Sequence, residues 1–343
     1  MYWSCKRTKS RNAVLNFIVG NRGAGKTFGY LDFCVERWLK TRRTKKPEMF
    51  MYARRTKEEL KPLAISRPGK LFEKLSRVKY RDHKFKADSG NLYIDDEICG
   101  YAVAVTEMPG LKSVDYPLVR YFALDEFIID RGLVGQHYIR GEEEPQILLD
   151  FYQTVDRDED RLTMFFLANA ITENNPYFNF FNLRMPPPTK IRLFGDDQEI
   201  LVENVADPEL IAKKQGTRFG KMIEGTKYGD YSISNKMLRD SETFVAHKPP
   251  TCAYKCTLIY LSKELGVWYD TRNGVYYISF DVERDNPIRY AVTDDDHRPN
   301  IMLMKGTKKS PYLVNLLTAY DMGRVYYENK KIANWFREIV RII

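Results

Sequence analysis

The first half of the chain alternates short, nearly continuous apolar runs with longer segments in which apolar residues recur at helical spacing. The apolar runs predict buried strands, and segment 28–39 predicts a helix directly after the first of them. The predicted strands are 14–19, 49–53, 121–124 and 163–168. Because strands without polar alternation are buried on both faces, this half is expected to be an α/β domain with a mainly parallel sheet covered by helices.

A different pattern begins near residue 240, where β-type runs follow one another closely and two amphipathic segments come after them. In chain order these runs and segments are 256–261, 265–269, 274–280, 312–322, 325–327 and 332–343. Asn273-Gly274 between two of the runs is typical of a hairpin turn. The sequence therefore predicts a first domain over 1–204, a polar linker over 205–240 and a smaller mixed α/β domain over 241–343.

Length and charge add to this picture. The chain has 343 residues, more than one hydrophobic core usually holds, and a formal net charge of +9. Segment 37–46 carries six basic residues and no acidic one, and a weaker basic cluster runs over 213–227. Both clusters are compatible with an ordinary solvated surface and with contacts to nucleic-acid phosphates.

Membrane and secretory signals are not predicted. No run of about 18 uncharged apolar residues occurs, and no apolar segment follows the basic N-terminus. The chain is therefore expected in the cytoplasm.

A glycine-rich segment lies between the first predicted strand and the first predicted helix. It matches the phosphate-binding loop pattern of Gly, four spacers, Gly, Lys and Ser/Thr. Its residues are Gly20, Asn21, Arg22, Gly23, Ala24, Gly25, Lys26 and Thr27. Backbone N–H groups of such a loop surround the phosphates of ATP, Lys26 can reach the β- and γ-oxygens, and the Thr27 hydroxyl can bind Mg²⁺. The alternative interpretation is a simple tight turn between strand and helix.

Two carboxylates end the predicted strand 121–124. Asp125 is suited to the Mg²⁺ site, and Glu126 is suited to polarising an attacking water. An Asp-Glu pair at a strand end is common by itself, but with the loop it predicts ATP hydrolysis. A glutamate in this position favours hydrolysis over phosphoryl transfer to a second small molecule.

Three further polar residues are candidates for catalysis. Asn169 ends the predicted strand 163–168 and can bind the γ-phosphate or the water; an ordinary turn residue is the alternative. Arg157 and Lys112 lie outside the loop and can supply charge to the γ-phosphate of a neighbouring subunit. Because acidic residues surround Arg157, a surface salt-bridge cluster is an equally good interpretation there.

Ten short motifs follow one another through most of the chain. They are 20–27 (GNRGAGKT), 52–55 (YARR), 112–117 (KSVDYP), 122–127 (FALDEF), 154–157 (TVDR), 168–170 (ANA), 175–178 (NPYF), 217–220 (TRFG), 224–229 (EGTKYG) and 266–268 (GVW). With these motifs in this order, the chain resembles the genome-packaging ATPases of phi29-type short-tailed bacteriophages. The ordered set is more specific than the loop alone.

This resemblance implies an additional-strand, catalytic-glutamate P-loop ATPase domain followed by a ribonuclease H-like domain without nuclease activity. It also implies a homo-oligomeric ring, expected to be pentameric, that docks on the portal protein of a procapsid vertex in the host cytoplasm and pumps double-stranded DNA inward with ATP. A packaging RNA is left open as a further component. The resemblance assigns ATP-site roles to Lys26, Thr27, Asp125 and Glu126, an arginine-finger role to Arg157, and a second role across the interface to Lys112.

Two departures from the family pattern stand out. The loop begins Gly-Asn-Arg where the family has Gly-Ala-Arg, and acidic rather than basic residues surround Arg157. In the second domain, segment 256–261 lacks the acidic residue that a ribonuclease H-like nuclease carries on its first strand, and the acidic run 294–296 predicts a polar turn. A terminase-like enzyme with an active nuclease and a nucleotide-gated assembly adaptor remain the alternative functions.

Overall fold

The computed structural model describes residues 3–66, 69–129, 138–139, 143–226, 229, 233, 244–260, 262–307 and 310–342. The chain divides into two compact units, residues 1–238 and 239–343. Several predicted positions lie outside the described residues. They are Lys227 of the second basic cluster, Tyr228 of the motif 224–229, residues 230–232 and 234–240 of the predicted linker, and residues 241–243, 261, 308–309 and 343 of the predicted second domain.

The first unit is built on a nine-stranded sheet. Its strands are β1 (Leu15–Gly20), β2 (Met49–Arg54), β3 (Phe85–Asp88), β4 (Asn91–Ile94), β5 (Glu97–Ala104), β6 (Val119–Asp125), β7 (Thr163–Asn169), β8 (Ile191–Phe194) and β9 (Ile200–Val205). Their spatial order is β3-β4-β5-β2-β6-β7-β1-β9-β8. The six central strands are parallel, and β3, β4 and β8 pair antiparallel at the two ends. The predicted α/β fold with a mainly parallel sheet is confirmed.

Short helices connect these strands. They are α1 (Cys5–Lys9), α2 (Lys26–Thr41), α3 (Lys57–Leu60), α4 (Glu73–Val78), α5 (Glu144–Asp156), α6 (Pro176–Phe180), α7 (Pro208–Gln215) and α8 (Arg218–Ile223). A π-helical segment (Lys61–Ile65) and a 3₁₀ helix (Val105–Leu111) complete the connections. The predicted helix 28–39 forms the middle of α2. No helix in the described part of the chain is both long enough and apolar enough to cross a bilayer.

Aromatic packing holds the central strands together. Every residue of β1 is buried, and Phe17 stacks on Phe166 of β7 with 4.4 Å between ring centroids. At the end of β1, a Cβ on Gly20 would overlap the backbone carbonyl of Val205 in β9. A glycine is therefore required where β1 leaves the sheet.

The register of the parallel strands decides where the polar residues lie. Gly20 pairs with Asn169, and Asp125 pairs with Leu167, so β1, β6 and β7 end at the same edge of the sheet. Because β2 is parallel to β6, Arg54 also ends its strand at this edge. Parallel α/β sheets bind ligands outside the carboxyl ends of their strands.

The second unit has a six-stranded mixed sheet and two helices. Its elements are β10 (Ala253–Tyr260), β11 (Lys263–Asp270), β12 (Val275–Ser279), β13 (Arg289–Ala291), β14 (Met302–Leu303), α9 (Pro311–Asp321), β15 (Val325–Tyr327) and α10 (Lys330–Ile342), with 3₁₀ turns at Asp294–Asp296 and Met304–Thr307. The strand order is β14-β13-β10-β11-β12-β15. β10, β11 and β12 form an antiparallel meander, and β13 and β14 add in parallel beside β10. The predicted mixed α/β fold of this part of the chain is confirmed.

Some elements of the first unit carry too weak a sequence pattern to be predicted. β3, β4 and β8 have only four residues each and lie at the ends of the sheet, and β9 contains a buried glutamate, Glu203. Glu203 is accommodated because Trp3 and Thr8 donate hydrogen bonds to it and Arg7 pairs with it. The described part of the predicted linker contains the end of β9 and helices α7 and α8, with helix-capping side chains from Asp207 and Thr217.

Candidate functional site

The segment between β1 and α2 forms a loop with an inward-turned backbone. Gly23 and Gly25 have φ angles of 86° and 82°, in the left-handed region that glycine adopts without strain. Gly25 caps the N-terminus of α2, whose free N–H groups and dipole favour an anion. The loop and the first turn of α2 therefore present backbone N–H groups in an arrangement that suits an anion.

The Lys26 ammonium lies under this loop and is almost completely buried. It donates to the carbonyls of Gly20 and Asn21, each at 2.9 Å, and to Oδ1 of Asn169 at 3.3 Å. Burial lowers the pKa of Lys26 to about 8, although the nearby Asp125 carboxylate opposes this shift. The ammonium thus occupies a position where an added phosphate oxygen would be a favourable partner.

Asp125 connects the loop to two neighbouring strands. Its Oδ2 accepts hydrogen bonds from the Thr27 hydroxyl and the Tyr52 hydroxyl, both at 2.8 Å. Mg²⁺ takes oxygen ligands at about 2.1 Å in octahedral geometry, so neighbouring ligands lie about 3 Å apart. The Thr27 and Asp125 oxygens match this spacing and this donor chemistry. These two residues fit a magnesium site.

Glu126 has an unusual backbone and an ion-paired side chain. Its φ of 61° is left-handed, and its N–H donates to Oδ1 of Asp125 at 3.1 Å. Its Oε2 lies 2.6 Å from Nη1 of Arg54, and about half of the Glu126 side chain is exposed. Burial alone would lower the pKa of Arg54, but Tyr52, Asp125 and Glu126 raise it above its ordinary value. Arg54 is a site residue to which the sequence analysis assigned no role; its position at a strand end was the available signal.

These residues surround one cleft of about 360 Å³. Five of the eight predicted loop residues line it: Arg22, Gly23, Gly25, Lys26 and Thr27. Asp125, Glu126 and Asn169 line it as well, together with an apolar wall that includes Phe28 and Leu75. A cleft with phosphate-binding groups at one end and apolar side chains beside them suits a nucleoside triphosphate.

Asn21 behaves differently from the other loop residues. Its side chain is fully buried and donates to the backbone carbonyl of Ile233 at 2.5 Å. Asn21 therefore ties the loop to a later segment of the same unit, and only its backbone remains available to a nucleotide.

Arg157 and Lys112 lie apart from this cleft. Arg157 is exposed just after the last residue of α5, and the chain then enters β7 at the end opposite to Asn169. Seven residues of strand span about 20 Å, which exceeds the reach of an arginine side chain. Lys112 pairs with Asp150 of α5 at 2.7 Å, with both side chains more than half exposed. The structure brings neither residue to the nucleotide cleft of its own subunit.

Part of each predicted basic cluster is engaged in intramolecular contacts. In the first cluster, Arg37 pairs with Glu48, Lys40 with Glu36 and Arg42 with Asp95. In the second cluster, Lys214 donates to the carbonyl of Arg22 in the phosphate-binding loop. Burial and Arg22 lower the pKa of Lys214. Arg43, Lys45 and Lys46 of the first cluster are exposed, so contact of these segments with nucleic-acid phosphates stays a prediction.

Comparison with known proteins shows the family of this chain. A model of the podovirus DNA encapsidation protein (Gp16) family matches residues 1–343. The chain belongs to this family. The DNA packaging protein of Bacillus phage phi29 is 29% identical over 341 residues, which cover 99% of this chain and 97% of that protein. The DNA packaging protein of Bacillus phage B103 is 30% identical over 321 residues, 94% of each chain.

Solved structures of this encapsidation family are similar as well. The bacteriophage phi29 viral genome packaging motor assembly contains a chain with a TM-score of 0.77 and 29% identity, covering 99% of both chains. The N-terminal domain of the phi29 DNA packaging ATPase matches with a TM-score of 0.50 and 30% identity over 60% of this chain and 96% of that domain. The resemblance found in the sequence motifs is confirmed.

Proposed function

We propose that this encapsidation protein is an ATPase that moves double-stranded DNA through a portal into a procapsid, as one subunit of a ring. The observation that carries the proposal is the convergence of Lys26, Thr27, Asp125 and Glu126 on one cleft at the carboxyl edge of the parallel sheet. Membership of a DNA encapsidation family and likeness to a packaging motor support the same function.

In the proposed reaction, the loop N–H groups and Lys26 bind the phosphates of ATP. Thr27 and Asp125 would hold Mg²⁺, which, when bound, neutralises charge on the β- and γ-phosphates. Glu126 orients a water and accepts its proton, and Asn169, which already contacts Lys26, hydrogen-bonds the γ-phosphate or that water.

Charge from a second subunit completes the proposed site. Arg157 lies too far from the cleft of its own subunit, so we assign it to the γ-phosphate of a neighbour, with Lys112 beside the same interface. This assignment requires a closed ring, for which we propose five subunits. The proposed partners are double-stranded DNA and the portal protein, and the proposed location is the procapsid vertex in the host cytoplasm.

The second unit is proposed to lack nuclease activity. β10 contains no Asp or Glu. The buried Asp296 carboxylate, in the turn of the acidic run, accepts hydrogen bonds from the Ser262 N–H at 2.8 Å and the Thr293 hydroxyl at 3.0 Å. These contacts support the interpretation of residues 294–296 as a structural turn.

A steady-state ATPase assay with and without double-stranded DNA tests the proposal. The wild-type chain should hydrolyse ATP faster with DNA. Glu126→Gln keeps the shape of the side chain but removes its carboxylate, so it should bind ATP normally and hydrolyse it at least about a hundredfold more slowly. ATP binding without turnover in the wild type would indicate an assembly adaptor, and linearisation of a plasmid in Mn²⁺ would indicate an active nuclease.

A further inference from the structure

Arg55 and Glu144 form a buried ion pair that has no role in the reaction outlined above. Their side chains are 4% and 0% exposed. Arg55 Nε lies 3.0 Å from Oε2 of Glu144, and Nη2 lies 3.0 Å from Oε1, so the pair is bidentate. Arg55 directly follows Arg54, the residue that holds the Glu126 side chain.

The same guanidinium also holds the backbone of the proposed water-orienting residue. Arg55 Nη2 donates to the carbonyl of Phe127 at 2.9 Å, and Nη1 donates to the carbonyl of Glu126 at 3.3 Å. One side chain thus bridges Glu144 and the backbone carbonyls of Glu126 and Phe127. Only the planar, forked head of arginine can make all of these contacts at once.

This backbone needs external support. A non-glycine residue with the left-handed φ of Glu126 is strained, and such strain persists only where the surroundings fix it. The fixing contacts are the bond from Glu126 N to Asp125, the bond from Phe127 N to the Leu167 carbonyl at 3.2 Å, and the two bonds from Arg55. The direction in which the Glu126 side chain leaves the backbone depends on them.

Glu144 in turn orients Arg55. Its oxygens also accept from the Tyr177 hydroxyl at 2.7 Å and from the Ile139 N–H at 2.8 Å. Glu144 is the first residue of α5, the helix that ends just before Arg157. A buried ion pair is weak evidence for stability, since apolar replacements of both partners are often equally stable. The bidentate geometry of the Arg55–Glu144 pair is better explained by a role in orienting the Arg55 guanidinium.

We infer that Arg55, oriented by Glu144, is a positioning residue that holds the Glu126 backbone so that the carboxylate faces the nucleotide cleft. Through Glu144 the same contacts connect Glu126 to α5. This inference rests on the proposed ATPase function. Arg54 restrains the Glu126 side chain, whereas Arg55 restrains its main chain.

Arg55→Lys is the first test, because lysine keeps the positive charge but loses the fork. We expect kcat for ATP hydrolysis to fall about 10- to 100-fold while the affinity for ATP stays within about twofold of wild type. Glu144→Gln keeps the size of the side chain and removes the counter-charge, and should lower kcat about tenfold. An unchanged kcat in Arg55→Lys, or loss of ATP binding together with kcat, would overturn the inference.

Glu203→Gln is a matched control for Glu144→Gln. Both glutamates are buried, and each accepts hydrogen bonds from an arginine, an aromatic side chain and one further donor. Glu203 lies in β9 and has no contact with the cleft residues Asp125 and Glu126 in the described structure. We expect Glu203→Gln to retain kcat within about twofold. An equal loss in both variants would mean that Glu144 supports only the fold.

A double variant shows whether Arg55 acts through Glu126. If it does, Arg55→Lys combined with Glu126→Gln should hydrolyse ATP in a single turnover as fast as Glu126→Gln alone. A further loss in the double variant would refute the positioning role. Absence of turnover in the wild type would instead reject the proposed ATPase function. Normal turnover in both the wild type and Arg55→Lys would reject only the positioning role of Arg55, so the two failures are distinguishable.

Discussion

Arg54 Nη1 lies 2.6 Å from Oε2 of Glu126, in the cleft that also contains Lys26 and Thr27. Arg54 Nε also donates to the Tyr52 hydroxyl at 3.2 Å, and Tyr52 donates to Asp125. This ion pair holds the Glu126 carboxylate against Arg54 rather than against a water. We therefore interpret the paired position of Glu126 as a resting position, from which its side chain must move to accept a proton from water.

Arg54→Gln tests this interpretation, because glutamine is shorter and uncharged. With the ion pair removed, we expect ATP hydrolysis without DNA to increase several-fold and the stimulation by DNA to shrink. The measurement is the steady-state rate with and without DNA at saturating ATP. A fall of both rates with their ratio preserved would instead mean that Arg54 aligns Glu126 for the reaction.

The lowered pKa of Lys26 predicts a pH dependence of ATP binding. Burial lowers this pKa to about 8, so the free protein loses the Lys26 charge as pH rises through 8. Phosphate oxygens favour the charged form, and binding above pH 8 should therefore take up a proton and weaken up to about tenfold per pH unit. Calorimetric titration from about pH 7.5 to about pH 9.5 in two buffers measures both effects.

Lys26→Met is the control for that titration. It should bind ATP weakly and show no such proton uptake, since the titrating group is gone. Asp125 and Glu126 also face Lys26 and oppose its loss of charge, whereas Lys214 promotes it. A wild-type affinity that stays constant over the whole range would contradict the buried, titrating position of Lys26.

Arg157 makes a prediction about the assembly rather than about one subunit. Arg157→Ala should bind ATP normally and hydrolyse it about a thousandfold more slowly, because charge on the γ-phosphate of the neighbour is lost. Rings that mix this variant with Glu126→Gln should regain part of the activity, at interfaces where an intact Arg157 meets an intact Glu126. No recovery in rings shown to contain both variants would rule out action between subunits.

Binding to double-stranded DNA should depend on phosphate contacts, because a motor that moves a whole genome cannot depend on base edges. We expect the affinity to fall at least about tenfold between about 50 and about 200 mM salt and to vary little with sequence. Titration of duplexes of different sequence measures both. A flat salt response, or a strong preference for one sequence, would argue against DNA translocation.

The sequence determined the parts of this protein that depend on local chemistry. Short continuous apolar runs are typical of strands buried on both faces, so they predicted the central strands and the parallel sheet. The loop needs glycines at Gly23 and Gly25 because both have positive φ angles. Its motif could therefore be recognised from the residue types alone. Asp125 and Glu126 could be assigned to the ATP site because they come at the end of a predicted strand and the phosphate-binding loop follows another strand of the same predicted parallel sheet.

The tertiary structure alone decided the contacts between residues far apart in sequence. The buried pair of Arg55 and Glu144 and the restraint of Glu126 by Arg54 join elements separated by more than 70 residues, and no local pattern encodes such distances. The same limit applies to the basic segments, where Arg42 pairs with Asp95 and Lys214 donates to the Arg22 carbonyl, contacts between residues far apart in the sequence. Local propensity favours particular helices and strands. The burial and the ion pairs of the site residues arise only after the sheet has brought those elements together.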